Sequence, residues 1–183
     1  MNGKQDHFQY AMNQGHSAAW DQNWDKAATY YRQALAEIPD HPKALTSLAL
    51  ALYELQDYQE ALEYYQRAVE ISPNDPVPLE KVAVILERLG HLSPAVDAYM
   101  EVAEKYARSR ELDKAIENWS SVVSLNPEHL TAHSRLAMVY ERLGRKQQAL
   151  IEYLAIASLL QSTGEAPKAI QTIQHIKQIM PES

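Results

Sequence analysis

His129 and His133 stand four residues apart with Glu128 just before them. Residues i and i+4 share one face of a helix, so two imidazoles at this spacing could begin a zinc site. A closed site needs further ligands, and no second pair lies nearby; the chain has no cysteine to supply thiolates. We therefore read His129 and His133 as solvated residues of a turn between helices, and expect neither a metal nor another cofactor. His7, His16, His41, His91 and His175 are scattered. Glu60 with Glu63, and Glu101 with Glu104, have a spacing at which two carboxylates could divide acid and base roles. The same spacing is that of the charged outer face of an amphipathic helix, and that is the reading adopted. The sequence holds no Gly-rich phosphate loop, no G-x-S-x-G turn and no H-E-x-x-H helix. With no constellation to carry a reaction, the chain reads as a protein that is not an enzyme.

The elements that would position these residues follow a fixed interval. Ala27, Ala61, Ala95, Ala115, Ala149 and Ala169 are separated by 34, 34, 20, 34 and 20 residues. Four positions after the first five come Tyr31, Tyr65, Tyr99, Trp119 and Tyr153, and prolines close units at Pro39, Pro73, Pro127 and Pro181. Periods of this length mark stacked helical repeats. In residues 42–73, Leu45, Leu48, Ala49, Leu52 and Leu55 form one apolar stripe at helical spacing, and Tyr58, Ala61, Leu62, Tyr65, Ala68 and Val69 a second. Gln56-Asp57 interrupts them, Pro73 ends the second helix and Asn74-Asp75-Pro76 starts the next. Two helices joined so closely form an antiparallel hairpin. Ala49 and Ala61 are small where the helices would cross, and Tyr65 would fill the gap to the next hairpin.

From residue 76 the order changes. Residues 76–129 and 130–183 repeat each other at an interval of 54: Glu87-Arg88-Leu89-Gly90 returns as Glu141-Arg142-Leu143-Gly144, and Lys114-Ala115-Ile116 as Lys168-Ala169-Ile170. Each has room for three helices, expected near 77–90, 93–108 and 111–125, then 131–144, 147–162 and 166–179. The middle helix of each fits two registers, as the second helix of one hairpin and the first of the next. With short turns throughout, helix direction alternates, so the helix at 131–144 is expected antiparallel to its twin at 77–90, with a break in any continuous face after residue 75.

The pattern resembles the tetratricopeptide repeat. It is carried by Gly15, Ala27, Tyr31, Ala34 and Pro39 in the first unit, by Leu45, Leu48, Ala49, Ala61, Tyr65, Ala68 and Pro73 in the second, and by Leu79, Val82, Ala83, Ala95 and Tyr99 in the third. The first unit departs from it at Ala11, Gln14 and Ala18, where bulkier apolar residues are usual. The resemblance implies an all-α, right-handed superhelical solenoid of antiparallel helix hairpins, about ten helices in all, forming one array over 1–183 with units at 8–41, 42–75, 76–129 and 130–183. It implies a concave face, lined by the first helix of each hairpin, that holds a partner peptide or helix. That face would present Gln9, Met12, His16, Ala19 and Trp20, then Lys43, Thr46, Leu50 and Tyr53, then Glu80, Val84, Glu87 and Arg88. Trp20 and Tyr53 are the expected anchors, because aromatics dominate interface hot spots. A further use of the family, a basic clamp on terminal carboxylates, would fall on Met12, His16, Ser47, Val77 and Lys81; only Lys81 suits it.

Composition narrows the partners. A 46% hydrophobic content supports a packed core rather than disorder. The net charge is −7, spread as −2 over 1–40, −4 over 41–75, −3 over 76–129 and +2 over 130–183. An acidic body disfavours nucleic acid, whose binding rests on Lys and Arg neutralising phosphates. No apolar run approaches about 18 residues, and the polar start Met1–His7 lacks a leader's apolar stretch, so we expect a cytoplasmic chain that neither crosses nor binds a membrane. The helix over 166–180 carries Ile170, Ile173, Ile176, Ile179 and Met180 where a capping helix would be polar. Three readings apply: a piece of a longer protein, a docking or self-association surface, or isoleucines that all face inward. The expected function is a protein-interaction scaffold or adaptor. The alternative is a regulatory or substrate-presenting part of a larger enzyme or secretion machine, and a third reading, an RNA-binding helical repeat, is disfavoured by charge.

Overall fold

Polar side chains at five of the connections cap the helix that follows. Asn23 accepts a hydrogen bond from the Lys26 N–H at 3.2 Å, Asp57 from Glu60 at 3.3 Å and Asp75 from Val77 at 3.0 Å. The His41 and His129 rings do the same through Nδ1 for Ala44 and Ala132. Each satisfies a donor that the first turn of a helix leaves open. A computed structural model describes residues 3–179 of the chain, and these form ten helices. They are α1 Gly3–Trp20, α2 Trp24–Glu37, α3 Pro42–Glu54, α4 Tyr58–Ile71, α5 Pro76–Arg88, α6 Leu92–Arg108, α7 Leu112–Leu125, α8 Leu130–Arg142, α9 Lys146–Ser162 and α10 Ala166–Ile179. The fold is all-α, as the repeat pattern implies. Met180 and Pro181, which the sequence assigns to the last helix and its stop, lie outside the described residues.

Six of the connections share one backbone design. Gln22, Gln56, Gly90, Arg110, Gly144 and Gly164 have left-handed φ values between 56° and 80°. After each, the next N–H donates back to a carbonyl five residues earlier: Asn23 to Ala18, Asp57 to Leu52, His91 to Leu86, Glu111 to Tyr106, Arg145 to Tyr140 and Glu165 to Leu160, all at 2.8–2.9 Å. This Schellman closure satisfies the open carbonyls of a helix end. Its positions keep the intervals of the repeating alanines. The connections after α2, α4 and α7 contain Pro39, Pro73 and Pro127 instead, with no left-handed residue. Hence α9 has such a turn at both ends, at Gly144 and Gly164. It starts as the second helix of a hairpin and finishes as the first helix of the next.

The chain divides into two compact units, Met1–Ala98 and Tyr99–Ser183, with the boundary inside α6. In the first, successive helices pack in chain order, α1 on α2, α2 on α3, α3 on α4 and α4 on α5. Ala27, Ala49 and Ala61 are wholly buried at the crossings. At Gly15 a Cβ would lie 2.5 Å from the Tyr31 ring, closer than side-chain contacts allow. So the α1–α2 crossing needs the smallest residue where α3 tolerates Ala49. Tyr31 and Tyr65 are buried between hairpins, and burial pushes both phenols above their ordinary pKa. Arg32 grips Glu60 with both carboxylate oxygens, at 2.9 and 2.8 Å, tying α2 to α4. Arg67 reaches Asp40 at 2.8 Å. In the second unit, Ala137, Ile156, Leu160 and Ala169 form the centre of an α8–α9–α10 core, with Leu130 and Tyr153 packed against it.

Candidate partner-binding face

Two left-handed turns bring aromatic residues together in the first unit. Trp20 ends α1 and Trp24 starts α2, on either side of Gln22. Tyr53 lies near the end of α3 and Tyr58 starts α4, on either side of Gln56, and their rings meet edge-on with centroids 5.4 Å apart. Trp20 is 87% exposed. Beside it is a mainly apolar cleft of about 330 Å3, lined by His16, Ala19, Trp20, Trp24, Tyr31, Ser47 and Leu50. The His16 ring rests edge-on against Tyr31 at 5.7 Å. Burial raises the Tyr31 pKa and a hydrogen bond with Ser47 opposes it, so the phenol is neutral through the physiological range.

One helical turn further along α3, Arg88 of α5 stacks on two rings. Its guanidinium carbon is 5.3 Å from the Tyr53 centroid and 5.6 Å from that of Tyr58. Side-chain hydrogen bonds to both tyrosines accompany these cation–π contacts, so rings and hydroxyls together hold the guanidinium. Lys43, Leu50 and Arg88 are exposed, and Thr46, Tyr53, Glu80 and Val84 half-buried; His16 and Glu87 are exposed. Met12 differs from its expected presentation. It is only 4% exposed, because α1 buries the stripe of Phe8, Ala11, Met12, Gly15 and Ala18. Trp24 and Tyr58 were not among the expected face residues, and Ser47 was named only as a clamp position. The signal for Trp24 and Tyr58 was their place immediately after a turn, at equivalent positions 34 apart.

The histidine pair at the start of α8 is not solvated as a pair. His129 is the half-buried cap of α8, and His133 is only 5% exposed. The His133 ring has Glu152 Oε2 2.6 Å from Nδ1 and the Pro127 carbonyl 3.0 Å from Nε2. Two strong acceptors make burial of the ring affordable, which sequence spacing did not reveal. Among the described residues, no three His, Cys, Asp or Glu converge to hold a metal ion. Three of the four paired carboxylates serve ion pairs: Glu60 with Arg32, Glu101 with Lys105 and Glu104 with Arg135. No helix among the described residues is long and apolar enough to cross a membrane.

The family model described as Tetratricopeptide repeat matches residues 12–76 and 103–170. The chain belongs to the tetratricopeptide repeat family. Solved structures share the fold at low identity. The MamA protein aligns at 17% identity over 87% of this chain and 95% of its own, with a TM-score of 0.50. The TPR2B domain of yeast Sti1, solved as a complex with pHsp70, aligns at 19% identity over 61% of this chain and 94% of its own, TM-score 0.54. PcrH, solved with the chaperone-binding region of PopD, aligns at 16% identity over 67% of this chain and 93% of its own, TM-score 0.61. No curated protein matches the sequence.

Proposed function

We propose that this tetratricopeptide repeat chain is a non-catalytic scaffold or adaptor that holds a partner peptide or helix on the α1–α3–α5 face of its first unit. The observation that carries the reading is Trp20. A folded chain has little reason to leave an indole 87% exposed beside an apolar cleft unless a partner covers it. The Sti1 and PcrH structures, both complexes with protein segments, support an interaction role at the level of the fold. The acidic charge of the first unit supports a protein rather than a nucleic-acid partner.

Affinity capture from soluble lysate, quantified by mass spectrometry, tests this when the wild type is compared with a Trp20→Ala, Tyr53→Ala variant of unchanged helical circular dichroism. Partners present with the wild type and missing with the variant are expected. Identical partner sets would remove this face from consideration.

Self-association through α10 is a second reading, and Ile170 and Ile173 favour it. They are 56% and 43% exposed, so of the three readings of this helix the one in which all the isoleucines face inward fails, although Ile176 is buried. The residues 54 positions earlier, Ile116 and Trp119, are both buried in α7. A position that one copy of the repeat covers is thus open in the other.

A further inference from the structure

Arg88 is set apart from the other arginines of the first unit. Arg32 is bound to Glu60 and Arg67 to Asp40. Arg88 has two tyrosine faces and no carboxylate among the described residues. Its exposed guanidinium is held by the rings and hydroxyls of the two tyrosines, so its remaining N–H donors are oriented before any ligand arrives. Lys43, exposed on the same face of α3, likewise has no carboxylate partner among the described residues. Glu80 and Glu87, the acidic groups of the α5 stripe, each have an interaction of their own. Lys43 and Arg88 therefore give this face positive charge without a carboxylate partner among the described residues, within a unit that is otherwise acidic.

Resting on the face assigned above, we propose that Arg88 binds a carboxylate side chain of an acidic partner segment, whose neighbouring apolar residue fills the Trp20–Trp24–Leu50 cleft. Three features fix the spacing. Leu50 and Tyr53 are three residues apart on α3, about 4.5 Å along its axis. Arg88 lies against Tyr53. An extended segment advances about 3.3 Å per residue and packed helices lie about 8–10 Å apart, so a segment running from the cleft beside α1 to Arg88 on α5 places its carboxylate about two to four residues from the apolar anchor. The guanidinium fork meets a carboxylate with two parallel N–H donors, a geometry that an ammonium cannot reproduce. The site differs from a clamp on a chain terminus: it reads a side-chain carboxylate beside a bulky residue, and needs no free C-terminus.

The test is selection of a random peptide library displayed on phage against the full chain, followed by affinity measurement on one recovered peptide with both ends capped. Asp or Glu about two to four residues from Trp, Phe, Leu or Ile is expected to be enriched. Arg88→Gln should weaken the peptide about tenfold or more, which corresponds to about 1.4 kcal/mol. Arg88→Lys should restore only part of this, and replacing the acid of the peptide by its amide should cost nothing further in Arg88→Gln. Selection of apolar residues without acids, or an Arg88→Gln variant with unchanged affinity, overturns the carboxylate site. If that peptide is still lost on Trp20→Ala, the face itself stands. If the Trp20→Ala, Tyr53→Ala variant also binds unchanged, the face falls as well.

Discussion

Gln56 shows how much a single residue carries in this fold. It takes a left-handed backbone, with φ of 63°, at the same turn position where Gly90, Gly144 and Gly164 occur. A side chain with a Cβ is strained there and glycine is not. Gln56→Gly is therefore expected to stabilise the chain by roughly 0.5–1 kcal/mol, the net of relieved strain and the extra freedom of the unfolded chain. Urea unfolding of the variant beside the wild type measures it, and an unchanged or lowered midpoint would contradict the account. The turn residues were legible as chain breaks, because Gln56-Asp57 interrupts two apolar stripes. Their shared left-handed conformation was not, since three of the six lack the glycine that signals it. Met12 shows the opposite error. Its helical spacing fits the exposed face, but α1 rotates it inward with Phe8 and Ala11.

At the scale of elements, α8, α9 and α10 are joined by Glu141. The Tyr153 hydroxyl donates to its Oε2 at 2.6 Å, and His175 Nε2 lies 3.0 Å from the same atom. These two hydrogen bonds, Tyr153 first and His175 second, hold the Glu141 carboxyl below its ordinary pKa. A depressed carboxylate contributes stability that is present above its unfolded pKa and lost as pH falls through the folded one. Acidification below the ordinary glutamate range should therefore weaken the α8–α10 layer. Glu141→Gln is expected to flatten that acid limb, read as the urea midpoint from pH 6 down to pH 3. Parallel acid limbs in the two proteins would refute the role. The helices themselves were legible, since caps, apolar stripes and prolines all repeat. The His133–Glu152 tie was not, because it joins α8 and α9 at residues 19 apart with no local signal.

At the scale of the whole molecule, Ile170 and Ile173 give α10 an exposed apolar face. An Ile170→Glu, Ile173→Glu variant is expected to lower the molar mass seen by size-exclusion chromatography with light scattering at high protein concentration, if these residues join two copies. The mutation places charge on an exposed face and should leave the helix content intact, as circular dichroism checks. A wild type that is monomeric at every concentration would exclude self-association through this face.

The sequence by itself determined the number of helices, their limits to within a few residues and the family. It could do so because these rest on local physics: helical spacing of apolar residues, capping side chains and prolines, repeated at fixed intervals. Tertiary structure alone decided which face residues are presented and which are buried. It turned Met12 inward, left Trp20 exposed, placed Arg88 on Tyr53 and Tyr58, and drew His133 between Glu152 and a carbonyl. Each of these depends on how a helix is rotated against its neighbours, a quantity set by close packing of side chains distant in sequence rather than by any local pattern.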